Sequence, residues 1–148
     1  MLRIVLAIAA LGLGIGAIVA HPHDITARRE LMKRSGEQAK IGGLMIRGDL
    51  PFDLAKAGAI FAVFAEKAAK LPGLFPDDSR TGDTRARPAI WEQPDEWKAA
   101  IAKFAVDTKE ASARTTDLET FKEAFRVVGK NCLSCHEAFR GPPRHHHR

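Results

Sequence analysis

Near the C-terminal end, Cys132-Leu133-Ser134-Cys135-His136 combines two thiols and an imidazole at a telling spacing. On a helix, positions 132 and 135 lie about one turn apart on the same side. Two thiols so placed can reach the two vinyl groups along one edge of a porphyrin. His136 follows directly and can turn its imidazole under the iron. A Cys-x-x-Cys-His run in an exported chain is the signal for covalent c-type haem attachment. Three rivals are weaker. A redox dithiol wants a βαβ context, and no strand pattern is present. A zinc site needs a second ligand pair, and the chain has only two cysteines. A disulfide three residues apart closes almost no loop and stabilises little.

The remaining ligands are few. The six histidines are 21, 23, 136, 145, 146 and 147, so only His136 sits inside the body of the chain. It is most simply the proximal iron ligand. No interior histidine can fill the sixth position. Of the methionines, Met1 belongs to an N-terminal segment expected to be removed, which leaves Met32 and Met45. A thioether is a soft ligand that favours ferrous iron. From its own residues Met32 is either a ligand or a core filler. Gly36, one turn later, leaves room beside it.

The elements that must position these groups are bounded by proline, at 22, 51, 72, 76, 88, 94, 142 and 143. Helix interiors exclude proline, so helices lie between. The first is expected over residues 24–46, with Asp24 as N-cap and Ile25, Met32, Ala39, Gly43 and Ile46 on one stripe. Leu31, Gln38 and Met45 form the neighbouring stripe. The second runs over residues 53–70, with Leu54, Ala57, Phe61, Phe64, Ala65 and Ala68 as its apolar face. Residues 71–93 read as a long connection. The third helix starts at Pro94, with Asp95 and Glu96 in its first turn. Trp97, Ile101, Phe104, Thr108 and Ala111 share its face. The fourth opens at a capping box in Thr116-Asp117-Leu118-Glu119 and carries Leu118, Phe121, Phe125, Val128, Cys132, Cys135 and Phe139. Gly141-Pro142-Pro143 ends it. The fold class is therefore all-α, an antiparallel up-down-up-down four-helix bundle.

At the other end, Arg3 precedes an uncharged apolar run from Ile4 to Ala20, and His21-Pro22 breaks it. Residues 1–20 read as a signal peptide, residues 21–141 as the bundle, and residues 142–148 as a basic, His-rich tail. Export places the protein in the periplasm. The chain is 148 residues, 45% hydrophobic and 28% charged, which suits one globular domain and excludes a polytopic membrane protein. The basic residues are spread along the chain, with no Lys/Arg run, so nucleic-acid binding is not indicated.

The segment Val127-Val128-Gly129-Lys130-Asn131-Cys132-Leu133-Ser134-Cys135-His136-Glu137-Ala138-Phe139-Arg140 resembles the C-terminal helix of the cytochrome c′ superfamily. Arg87-Pro88-Ala89-Ile90-Trp91 is similar to that family's Pro-x-Ile-Trp stretch. Arg28-Arg29-Glu30-Leu31-Met32 is similar to its Arg-Gln-x-x-Leu/Met stretch, with Arg29 where glutamine is common. The likeness spans residues 24–141. It implies one covalent haem c, on Cys132 and Cys135, with His136 as proximal iron ligand. It implies Met32 as distal ligand, as in the low-spin cytochrome c-556-like branch, and Met45 as core. It leaves a propionate contact open to Arg28 or Arg29. Arg140 either tunes the proximal histidine or is a solvated helix-end cation. Trp91 is core near the haem edge.

The expected function is one-electron transfer through a six-coordinate His/Met haem, without enzymatic activity. A protein redox partner, of acidic surface, would dock on the mildly positive chain. A homodimer through the first two helices is a further expectation from the resemblance. The alternative is a five-coordinate cytochrome c′ that binds NO or CO.

Overall fold

A computed structural model describes residues 22–142. The expected signal peptide and residues 143–148 of the expected tail lie outside them. Five helices are present among the described residues: α1 (Pro22–Arg47), α2 (Leu54–Lys70), α3 (Ala89–Glu92), α4 (Pro94–Arg114) and α5 (Leu118–Phe139). Four are long and form a four-helix bundle. The fifth, α3, is a single turn. No strand occurs among the described residues, only one isolated antiparallel bridge between Ala86 and Arg140.

Local chemistry explains the boundaries. Pro22 starts α1, so Asp24 lies in the first turn and is not the cap expected of it. A proline there loses no helical hydrogen bond, because the first four N–H groups have no intrahelical partner. Asp53 caps α2 by accepting from the Lys56 amide at 3.0 Å. The capping box of α5 sits one residue later than expected. Asp117 accepts from the Thr120 amide at 2.8 Å, and the Thr120 hydroxyl accepts from the Asp117 amide at 3.0 Å. The shorter Asp117/Thr120 pair thus takes the role assigned to Thr116 and Glu119.

Packing follows the helical stripes, with two corrections. On α2, Leu54 and Ala65 are exposed, whereas Ile60 and Lys67 are buried. On α1, the buried residues include Ile25, Arg28, Leu31, Ser35 and Met45, and the rest of the Met32 stripe, Met32, Ala39, Gly43 and Ile46, is half-buried. The expected face of α4 is buried throughout.

Two apolar clusters result. The larger holds Met45, Phe61, Phe64, Phe104, Phe121 and Val128, from α1, α2, α4 and α5. The smaller holds Leu71, Ile90, Trp97, Ile101 and Phe139. The aromatic rings meet edge-on or tilted, as their quadrupoles prefer.

The connection of residues 71–93 is more ordered than expected. It contains two 3₁₀ turns, Leu71–Leu74 and Asp77–Ser79, and then α3. One buried side chain ties three points of it to α1. The Arg28 guanidinium donates to the Leu74 carbonyl at 3.1 Å, to both the hydroxyl and the carbonyl of Ser79 at 3.0 Å, and to the Thr84 hydroxyl at 2.7 Å. It also stacks 4.5 Å from the Phe75 ring centroid.

Candidate functional site

The α5 sequence holds its helix through Phe139, so Cys132, Cys135 and His136 all lie on regular backbone. Both thiols are free and partly buried. Cys132 packs against the larger cluster and Cys135 against the smaller one. Burial pushes the Cys135 thiol up, and the Lys67 ammonium partly opposes this. Reduced thiols without a disulfide are what two thioether bonds require.

His136 is half-buried. Burial pushes its imidazole below the ordinary value, with Arg140, Lys67 and Arg85 adding positive charge nearby. The neutral, metal-binding form is therefore favoured at neutral pH. The backbone after it is fastened. The Ala86 region pairs with Arg140, the Arg87 amide donates to the Phe139 carbonyl at 3.0 Å, and the Gly141 amide donates to the Arg85 carbonyl at 2.7 Å. Arg85 also donates to the carbonyls of Gly141 and Pro142.

Met32 lies across the bundle on α1, half-buried against the smaller cluster that Cys135 also borders. Helices α1 and α5 have little direct contact, but they come close at Gly42, where an added Cβ would stand 2.5 Å from the Phe125 ring. Met32 precedes Gly42 by ten residues, and Cys135 follows Phe125 by ten. At 1.5 Å per residue on antiparallel helices, both lie about 15 Å below that closure, at one level. Met45 is 1% exposed and fills the larger cluster. Gly36 is exposed, with open space around it.

The other expected residues fall as follows. Arg28 is 5% exposed and spends its donors on the connection. Arg29 is exposed and pairs with Asp83. Arg140 is exposed at the end of α5, within electrostatic reach of His136. Trp91 packs beside the smaller cluster, and its indole N–H donates to the Phe75 carbonyl at 2.9 Å. Sequence reasoning missed Lys67, which is 6% exposed with its ammonium 4.4 Å from the Phe104 ring centroid. Its period on α2 put it on the inner face, but its charge argued against burial.

The family model described as Cytochrome C′ matches residues 23–140. This chain belongs to the cytochrome c′ family. A cytochrome c′ of Rhodopseudomonas palustris is 38% identical over 129 residues, covering 86% of this chain and 88% of that protein. Cytochrome c-556 of the same species is 33% identical over 145 residues, covering 95% and 97%. Among solved structures, R. palustris cytochrome c′ superposes with a TM-score of 0.78 at 36% identity, over 82% of this chain and 98% of that one. Oxidised R. palustris cytochrome c556 does so at 0.75 and 30% identity, over 84% and 100%.

This cytochrome c′ family member is thus a c-type cytochrome with covalent haem c. The residues present fit the group. Two free thiols one turn apart stand at apolar clusters, with a neutral imidazole beside them and a thioether on the facing helix.

Proposed function

We propose that this cytochrome carries single electrons in the periplasm, with His136 and Met32 as the two axial ligands and Cys132 and Cys135 as the haem attachments. Met32 supports the reading most: it borders the cluster at Cys135 from the opposite helix. The likeness to two cytochromes c-556 over most of the chain supports it further. Among the described residues no helix is long and apolar enough to cross a membrane.

Bound haem supplies a one-electron ferric/ferrous couple. The protein does the rest. His136 offers a neutral nitrogen, held by a helix end that Arg85 and Arg87 fasten. Met32 would offer a soft sulfur from beside the smaller apolar cluster. The smaller cluster, which packs against Met32 and borders Cys135, would limit how far these side chains move. No substrate bond is made or broken. Arg87 and Arg140 are exposed near His136, and they suit an acidic redox protein that docks weakly and leaves quickly. A second copy through α1 and α2 remains the proposed self-association.

The test is the visible spectrum of the haem-loaded protein and of Met32→Leu. A sharp, split ferrous band and a weak far-red ferric band of sulfur ligation are expected, and the far-red band disappears in the variant. An unchanged spectrum in Met32→Leu, or broad high-spin bands in the parent that shift on adding CO or NO, would overturn the six-coordinate reading in favour of gas binding.

A further inference from the structure

Lys67 sits on the inner face of α2 and is 6% exposed. Its ammonium stands 4.4 Å from the Phe104 ring centroid and 5.4 Å from that of Phe64. Among the described residues it makes no hydrogen bond or ion pair. Its chain neighbour Glu66 is spent elsewhere, on Arg34 and Lys70. Cation–π contact returns only part of the cost of desolvating an ammonium. An apolar residue of similar volume would serve the fold better at this position.

The surroundings give the charge a purpose. Phe64 and Phe104 belong to the cluster against which Cys132 packs. Burial pushes the Lys67 ammonium below its ordinary value, and from α5 Cys132, Cys135 and His136 are all within electrostatic reach of it. The other charges that act on His136 are Arg85 and Arg140, and they lie outside the core, at the far end of α5. Lys67 is the charge on the bundle's interior side.

We propose that the Lys67 ammonium is a built-in positive charge that raises the reduction potential of the haem. Reduction takes one electron from a redox partner and leaves the haem one unit more negative. A fixed cation beside it favours that product, and a largely buried, aromatic setting screens the attraction less than water would. The stability lost by burying the charge is the cost of this bias. The effect works through space on the haem, so it holds whether or not Met32 ligates iron. Lys67 is here a positioning charge, not a ligand.

The test uses the haem-loaded protein in three variants. Lys67→Leu and Lys67→Gln remove the charge, and Lys67→Arg keeps it. The midpoint potential is read by optical redox titration, with the ferric and ferrous spectra as a check on ligation and the denaturant midpoint as a check on the fold. Both neutral variants are expected to shift the reduction equilibrium about tenfold toward the ferric state, which is 59 mV for a one-electron couple. Their spectra stay those of the parent, and Lys67→Leu is at least as stable. Lys67→Arg stays within about threefold of the parent, by the same one-electron scale. An unchanged or raised potential in both neutral variants overturns the proposal. So does an equal fall in Lys67→Arg, which would make the effect one of packing. Failure of both neutral variants to take up haem also overturns it, by assigning Lys67 to haem insertion.

Discussion

Arg28 grips Ser79 twice, donating from separate nitrogens to its hydroxyl and its carbonyl, each at 3.0 Å. The two residues are 51 positions apart, and the bonds are buried. A guanidinium suits this because its donors form a rigid fork. Lysine presents one compact ammonium and cannot span Leu74, Ser79 and Thr84 together. Arg28→Lys is expected to lower stability by about 2–3 kcal/mol, on the scale of buried hydrogen bonds to a charged group. Limited proteolysis should then cut within residues 74–84 in the variant before the parent. Equal stability and equal resistance would show that the aromatic packing of Phe75 alone orders the connection.

Glu66 joins α1 to α2. It accepts from Arg34 through both oxygens, at 3.1 and 2.8 Å, and from Lys70 at 2.7 Å. The Arg34 bonds first, and then Lys70, hold its carboxyl down to about 2. A depressed carboxylate stabilises the fold above its unfolded value, near 4.5, and that contribution is lost as pH falls toward 2. Glu66→Gln should therefore flatten the fall in denaturant midpoint between these limits. The difference should shrink in high salt, because the group is at the surface. An identical pH profile in the variant would remove this pair from the acid response.

Much of this was legible in the sequence because it is local. Cys132, Cys135 and His136 declare themselves by spacing, and Trp97 through Ala111 and Phe121 through Phe139 reveal their faces by helical period. The heptad-like stripes also place Met32 near the core. What the sequence hides depends on distant partners. Nothing near Arg28 says that Ser79 and Thr84 will accept its bonds, so a buried clamp reads as one of two candidate propionate contacts. Lys67 is charged, and only the meeting of Phe64 with Phe104 makes its burial tolerable. The one-residue shift of the α5 cap is local instead: Thr116 and Asp117 are both competent, and Asp117 makes the reciprocal pair with Thr120.

Thr108 is fully buried on α4, and its hydroxyl has no hydrogen-bond partner among the described residues. A buried hydroxyl without a bond costs about 1–3 kcal/mol in proteins. Valine keeps the shape and removes the polar atom. Thr108→Val is expected to raise stability by about 1 kcal/mol, read from the urea midpoint at constant slope. A loss of stability would mean that the hydroxyl does bond in the folded protein.

Gly42 and Phe125 close the bundle about 15 Å from the level of Met32 and Cys135. A Cβ at Gly42 would lie 2.5 Å from Phe125 Cε2 and 2.9 Å from Cζ, too near for any packed side chain. Two effects oppose each other in Gly42→Ala. Helix propensity gains about 1 kcal/mol. Overpacking costs about 1–3 kcal/mol, because the ring already touches Phe64 and Phe121 and cannot simply swing away. The net expectation is a loss of about 1 kcal/mol by these two scales. Phe125→Leu in the same chain should relieve the clash, so the double variant is more stable than the sum of the singles predicts. The functional consequence follows from the shared level of Met32 and Cys135. If Met32 is the distal ligand proposed above, prying α1 from α5 at Gly42 would draw it back, so sulfur ligation should weaken in Gly42→Ala and return in the double variant. The far-red ferric band reports this directly. A destabilised Gly42→Ala with the band intact would show that the Met32 end of α1 is held by Arg28 and the smaller cluster, independently of the closure above it.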